Sequence, residues 1–228
     1  MNPPYLLDPT NITFPDPRLS NKDGLLAIGG DLSPARLLQA YSHGIFPWYE
    51  DDYPILWWSP DPRLILKPEQ FKLSHSLKKT LNKAFTFSRD TAFADVIRAC
   101  SSVPGRVNRT WITADMIDAY VHLHELGYAH SIEVWFEGNL VGGLYGIGLG
   151  RAFFGESMFH TSRDASKLAL YYLCETVKSL QFDFIDCQLP TDHLQSMGAE
   201  IISRDFFLKM LHTNQQHPTL RGSWTIFN

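Results

Sequence analysis

The alternation of apolar and polar residues changes character near residue 63. Ahead of it, hydrophobic positions are broken up by Pro15, Pro17, Gly29-Gly30, Pro47, Pro54, Pro60 and Pro62. One stretch there keeps a helical repeat: Ser33 can cap it, Pro34 fits its first turn, and Leu37, Leu38 and Tyr41 form a stripe before Gly44 ends it. The pattern predicts a small N-terminal domain over residues 1–62, irregular apart from that helix. From residue 63 the repeats lengthen. Residues 74–84 and 92–101 read as short helices, and Thr113 opens a longer one in which Met116, Ile117, Tyr120 and Leu123 recur up to Gly127. Residues 131–136 alternate as a strand does, with Ile132, Val134 and Phe136 set against Ser131, Glu133 and Trp135. A turn at Glu137-Gly138-Asn139 leads into further strands near 140–149 and 151–159. Residues 163–180 form a long helix, 182–188 a short buried strand, 191–197 a helical turn closed by Gly198, and 199–203 a last strand. A meander followed by alternating helix and strand predicts an α+β domain over 63–228 on a mostly antiparallel sheet.

The chain has 228 residues, 44% hydrophobic and 19% charged, enough to bury a core without a covalent staple. Cys100, Cys174 and Cys187 are scattered and form no CxxC pair, which argues for a reducing compartment and against a disulfide framework or a structural zinc site. The opening MNPPYLLDPTNITF has neither a basic nor an apolar leader region, and no apolar run reaches the roughly 18 residues of a membrane span. These features predict a cytoplasmic protein. Net charge is −4, but residues 67–89 carry Lys67, Lys72, Lys78, Lys79, Lys83 and Arg89 against Glu69 alone, a local +5 on a body of −9. Such a patch is either a solvated helix face or the footprint of phosphate contact.

Several motifs carry candidate chemistry. Gly142, Gly143, Gly146, Gly148 and Gly150 lie inside a strand pattern, where repeated glycine signals bulges or close backbone approach rather than a phosphate loop. His124-Glu125 begins an HExxH pattern, but the second histidine position is Tyr128, and His122 and His124 face different sides of a helix; no metal is expected. Asp186 and Gln188, two apart in a strand, leave one face, with Cys187 on the other. Asp186 follows an apolar run, where a carboxylate is costly unless paired or functional. Glu156 has the same character among Phe153, Phe154, Met158 and Phe159. Trp48, Tyr49, Trp57, Trp58 and Trp111 are core residues or platforms for a nucleobase.

In order along the chain, these segments resemble the leucyl/phenylalanyl-tRNA–protein transferase family. The resemblance lies in GLLAIGGDLSPARLLQAYSHGIFPW (24–48), WWSPDPR (57–63), TWIT (110–113), LHELGYAHSIEVW (123–135), LVGGLYG (140–146), FGESMF (154–159), DASKLAL (164–170), FDFIDCQ (182–188) and HLQSMGA (193–199). It implies a larger domain of the acetyltransferase (GNAT) type beside a small N-terminal one. It also implies transfer of Leu or Phe, and less well Met, from aminoacyl-tRNA to proteins that begin with Arg or Lys, marking them for N-end-rule degradation. The ester is already activated and the acceptor amine is the nucleophile, so the resemblance implies no cofactor and no metal, and the chain is expected to be a monomer. Asp186 and Gln188 are implied at the chemistry, either with Asp186 polarising Gln188 or with both orienting substrates; Asp186 is also expected to help hold the basic acceptor residue. Leu144, Met158 and Ile185 are expected to form the donor pocket, with Glu156 and Ser166 near its polar rim. Trp48 and Trp111 are expected to grip the terminal adenosine, and Lys78, Lys79 and Lys83, on one short helix, to meet the acceptor stem.

Overall fold

The computed structural model describes residues 3–81, 83–102 and 110–226. Short strands build a first sheet of four: β1 (Tyr5–Leu7), β2 (Leu25–Gly29), β3 (Phe46–Pro47) and β4 (Leu56–Trp58), in the order β1-β2-β4-β3. Strands this short fit between prolines and glycines, which is why the region looks irregular in sequence apart from its helix. That helix, α1 (Pro34–Ser42), starts as expected, with the Ser33 hydroxyl accepting from the Arg36 N–H and Pro34 in its first turn.

The remaining strands form one sheet of seven in the order β11-β5-β10-β9-β8-β7-β6. They are β5 (Arg63–Leu66), β6 (Phe85–Arg89), β7 (Ala129–Phe136), β8 (Asn139–Leu149), β9 (Ala152–His160), β10 (Phe184–Gln188) and β11 (Glu200–Ile202). All neighbours are antiparallel except β9 and β10. This is the mostly antiparallel α+β arrangement that the sequence pattern predicts. Helices α2 (His75–Leu81), α3 (Phe93–Ser101), α4 (Ala114–Glu125), α5 (Ala165–Ser179), α6 (Asp192–Ser196) and α7 (Arg204–Asn214) complete the chain. Sequence periodicity anticipates the first five of these. It misses α7, β5 and β6, although Ser203 caps α7 through the Phe206 N–H and Phe207 and Leu211, one turn apart, are buried.

The sheet is covered on both faces. Residues of α5, among them Leu168, Leu173 and Val177, pack with Leu64, Ile132, Ile185 and Trp224 into one core. On the other side, Phe93, Met116 and Tyr120 join Leu26 and Trp57 of the small sheet and Phe207 of α7. A single apolar cluster therefore runs from the N-terminal sheet into the large one. Burying roughly 25 cal/mol for each Å² of apolar surface, it ties the two sheets together without a covalent link.

The strand glycines are explained by close approach. A Cβ at Gly142 would lie 2.6 Å from the Ala165 Cβ at the start of α5, and one at Gly146 would lie 2.2 Å from the Phe154 carbonyl oxygen across a bulge. The C-terminal segment closes the far end. Trp224 is fully buried, stacks on His130 with ring centroids 4.0 Å apart, and donates its main-chain N–H to Asp90 at 2.6 Å. Replacing Trp224 with Ala is expected to lower stability by about 3–5 kcal/mol. Urea unfolding checks this; a loss under about 1 kcal/mol would mean that the tail does not contribute to the core.

Candidate active site

The site forms where the parallel strand pair of the large sheet comes apart. Strand β10 pairs with β9 only through Phe184–Ala152, Ile185–Phe153 and Asp186–Phe154. Beyond Phe154, β9 runs on to His160 without β10 beside it. Each strand is bulged at this point. Opposite β8, Tyr145 pairs with Ser157 and Gly146 with Gly155, so Glu156 is the extra residue. Opposite β5, Asp186 pairs with Ile65 and Gln188 with Leu64, and Gln188 has a left-handed φ of 62°. Bulges re-aim side chains, and these two direct Glu156 and Gln188 at each other.

Asp186 and Gln188 are therefore not related by simple alternation; the bulge sends them to different partners. Asp186 is fully buried in a bidentate pair with Arg63, whose Nε donates to Oδ1 at 2.9 Å and Nη2 to Oδ2 at 2.6 Å. The guanidinium also donates from Nη1 to the Gly44 carbonyl at 3.2 Å and lies between the Phe46 and Phe207 rings, 4.9 and 4.6 Å from their centroids. Asp186 Oδ1 accepts the Gln188 main-chain N–H at 2.9 Å. Asp186 thus grips the backbone of Gln188, not its amide, and both of its oxygens are engaged inside the protein.

The Gln188 amide belongs to a second network. Its Nε2 donates to Glu156 Oε1 at 2.8 Å, Tyr41 Oη donates to the same oxygen at 2.6 Å, and Tyr120 Oη donates to Oε2 at 3.1 Å. The two tyrosine hydroxyls also contact each other. Burial raises the Glu156 carboxyl to about 7; the charge of Asp186 adds to the rise, while the bonds from Tyr41, Tyr120 and Gln188 oppose it. Burial likewise pushes both tyrosine hydroxyls well above their ordinary range, so they remain donors.

Beside this network lies a cavity of about 390 Å³. Leu144, Met158, Ile185 and Cys187 give it apolar wall, Glu156 and Gln188 form its polar side, and Trp48 and Trp111 stand along it. Trp48 is 41% exposed and is held from below by Trp58, whose indole N–H donates to the Trp48 carbonyl at 2.7 Å. The wall is apolar enough to take an uncharged side chain, and Met158 is flexible enough to accept more than one shape. Burial pushes the Cys187 thiol far above its ordinary range, leaving it a wall group rather than a nucleophile.

Two groups of expected residues lie elsewhere. Ser166, in the first turn of α5, is buried and hydrogen-bonds His160 Nδ1 at 3.3 Å; it is not part of this cavity wall. Lys78 and Lys79 are exposed on α2, while Lys83 is exposed but lies beyond the end of that helix at Leu81, so the three do not share one helix. Of the neighbouring cations, Lys67 is paired with Glu200 at 2.9 Å. His122 and His124 are separated as expected: His122 pairs with Glu125 at the surface, and His124 stacks on Phe93. Among the described residues, no group of three or more His, Cys, Asp or Glu could hold a metal ion.

Periodicity alone overlooks Arg63, Tyr41 and Tyr120. The isolated buried carboxylates at 156 and 186 were the available signal, since each demanded partners from a distant segment.

Comparison with known proteins gives a consistent result. The family model described as leucyl/phenylalanyl-tRNA protein transferase matches residues 65–212, and the model for the N-terminal domain of the same family matches residues 30–61. A leucyl/phenylalanyl-tRNA–protein transferase of Legionella pneumophila (strain Corby) is 62% identical over 217 residues, covering 95% of this chain and 98% of that protein. One from Desulfatibacillum aliphaticivorans is 56% identical, covering 94% and 93%. Among solved structures, a GCN5-related N-acetyltransferase from Kribbella flavida aligns with a TM-score of 0.37 and 11% identity, over 75% of this chain and 61% of that one.

The buried pair makes a direct prediction. Arg63→Leu and Asp186→Leu should each cost about 3–5 kcal/mol, because each leaves a lone buried charge. The double substitution should cost markedly less than the two added together. Denaturant midpoints of the three variants test it, and simple additivity would show that the two groups are uncoupled.

Proposed function

Since the chain belongs to the leucyl/phenylalanyl-tRNA protein transferase family, we propose that its splayed-strand site is where an aminoacyl ester meets a protein N-terminus. The enzyme is an aminoacyltransferase that moves Leu or Phe from aminoacyl-tRNA to the N-terminal Arg or Lys of an acceptor protein. Met is a poorer donor in this reading, and the product is marked for N-end-rule degradation. The observation that carries the placement is the adjacency of an apolar cavity and a buried carboxylate–amide–tyrosine network. One suits an uncharged amino-acid side chain and the other an amine.

The reaction needs positioning more than activation. The acceptor nitrogen attacks the ester carbonyl carbon, its bond to carbon forms as the carbon–oxygen bond to the terminal ribose breaks, the nitrogen loses a proton and the ribose oxygen gains one. An α-amine of pKa about 8 is partly neutral at physiological pH, so it requires a hydrogen-bond acceptor rather than a strong base. Gln188 takes that part in our reading, with Asp186 fixing its backbone. A direct grip of Asp186 on the acceptor side chain is less favoured, because Arg63 and the Gln188 N–H already occupy both carboxylate oxygens. Leu144, Met158 and Ile185 receive the donor side chain, with Glu156 at the polar edge; Ser166, hydrogen-bonded to His160 away from the cavity wall, is less favoured as part of the rim. Trp48 and Trp111 stack the terminal adenosine.

The exposed Lys78, Lys79 and Lys83 take the phosphates of the acceptor stem in this reading, in keeping with the tRNA substrate of the family. The division at residues 62 and 63 separates the small sheet from the large one, which favours treating them as two domains. We read the enzyme as a cytoplasmic monomer, since the aminoacyl-tRNA on which the family acts is a cytoplasmic RNA; among the described residues no helix is long and apolar enough to cross a membrane.

Incubation with Leu-tRNA, Phe-tRNA or acetyl-CoA and an Arg-starting peptide tests the activity. The peptide mass should rise by one leucyl or phenylalanyl residue; acetylation, or no change, would refute it. Replacing Lys78, Lys79 and Lys83 together with Ala should reduce the slope of log affinity against log salt by about 2–3. An unchanged slope would remove those residues from the RNA interface.

A further inference from the structure

We propose that Glu156 is a positioning residue whose ionised carboxylate fixes the Gln188 amide, so that the amide's carbonyl oxygen, rather than its NH2 group, meets the acceptor amine. The inference rests on the reading that Gln188 faces that amine, and extends it by saying what decides which end of the amide is presented.

A glutamine amide has a donor end and an acceptor end of nearly equal shape, so its neighbours choose its orientation. The Gln188 side chain has one strong partner, Glu156 Oε1, which takes an Nε2 hydrogen at 2.8 Å. A carboxylate can only accept, so it selects the NH2 end. The carbonyl oxygen is then the polar atom left for the cavity that Gln188 lines. A protonated carboxyl no longer enforces the choice, because its O–H can donate to the carbonyl oxygen and turn the NH2 end outward, where it would repel an amine hydrogen.

The surroundings hold the carboxyl near that boundary. From α1, Tyr41 donates to it, and from α4, Tyr120 does. From β10, Asp186 lies close enough to oppose its ionisation, with Arg63 of β5 bound to Asp186. From β8, Tyr145 packs edge-on against Tyr120 at 5.7 Å. Helix α3 contributes Phe93, Val96, Ile97 and the thiol of Cys100 to this core, its charged Asp95 and Arg98 being paired at the surface. The carboxyl titrates near 7, so the amide should change orientation within the working pH range. The two tyrosines have a definite part in this: each donates to the carboxylate and favours the ionised form.

The backbone arrangement supports a dedicated role. Glu156 is the inserted residue of one bulge and Gln188 sits at the other with a left-handed φ, so both strands depart from regular pairing at the point where the two side chains meet. The second bulge is anchored by Asp186, which accepts the Gln188 N–H. Asp186 holds the backbone and Glu156 holds the amide.

Nitrogen-15 NMR of the resting enzyme tests this without reference to activity. The Gln188 side-chain NH2 signal, assigned by its loss in Gln188→Glu, should shift with a midpoint near pH 7. It should not titrate there in Glu156→Gln. In Tyr41→Phe and Tyr120→Phe, which remove one hydroxyl each, the midpoint should move to higher pH. A Gln188 signal that does not change between pH 5.5 and 8.5 in the wild type overturns the proposal whatever the enzyme's activity. Kinetics give the second readout: at pH 8, Glu156→Gln should lower kcat about 10- to 100-fold with KM for Phe-tRNA little changed. The acid limb of the wild-type kcat profile should shift upward in both tyrosine variants, which a titrating peptide amine would not do. Limbs that coincide in all three proteins count against the proposal; a titrating NMR signal in a protein that transfers nothing would instead refute the transferase reading and leave the Glu156–Gln188 coupling standing.

Discussion

The geometry of the site depends on one buried ion pair. Arg63 and Asp186 are 123 residues apart in sequence, lie on adjacent strands, and are both out of contact with water. Two charges in such a place are tolerated only when each satisfies the other and the remaining lone pairs and hydrogens find partners. Here they do. The guanidinium reaches the Gly44 carbonyl of the N-terminal region and is enclosed by Phe46 on one side and Phe207 of α7 on the other. Three separate parts of the chain therefore converge on one pair, and Asp186 has an oxygen available for the Gln188 N–H. Loss of either charge would disturb the small sheet, the large sheet and the C-terminal helix together.

From that anchor the polar chemistry becomes affordable in a mostly apolar interior. A glutamate beside a cavity is costly to ionise, and burial raises its carboxyl to about 7. Two tyrosines and an amide offset part of it, each with a hydrogen bond to the carboxylate. The same tyrosines are core residues: Tyr41 packs edge-on against Phe154 and Tyr120 against Tyr145. Their rings serve the hydrophobic cluster while their hydroxyls serve the carboxylate, so the network adds polar function without opening a void.

How far this was legible in sequence follows from the range of the interactions. The capped helices at Ser33 and Thr113 were readable because a cap is local to four residues. The meander was readable because period-two alternation survives along long strands. The small sheet was not, since its strands are two to five residues long and carry no period. Asp186 and Glu156 were recognisable as carboxylates in need of partners, but Arg63, Tyr41 and Tyr120 come from other elements and nothing local links them. Tyr41 and Tyr120 fell on apolar helical stripes, where their rings do belong. Gln188 could not announce a left-handed φ, because no glycine marks it, and its alternation with Asp186 was misleading for that reason. Membership of the family was legible in the motifs themselves; the division of labour between the two acids required their hydrogen bonds.

That division bears on why an enzyme for this reaction would use an amide beside a carboxylate instead of a carboxylate alone. An ionised acid pointed at the acceptor would bind the protonated amine and hold it in its unreactive form. A neutral carbonyl oxygen binds a neutral amine hydrogen without stabilising the ammonium to the same degree, because the charge-assisted bond is roughly twice as strong as the neutral one. Glu156 lies one hydrogen bond behind the Gln188 NH2; on the proposed reading its charge is available to polarise the amide while being kept away from the nucleophile. Asp186, locked to Arg63, has its charge partly offset where it stands, though enough remains to oppose ionisation of Glu156. In the proposed reading, the two bulges bring an acceptor of moderate strength to the amine at the edge of an apolar cavity, and a regular pair of parallel strands would have left neither the opening nor the angle.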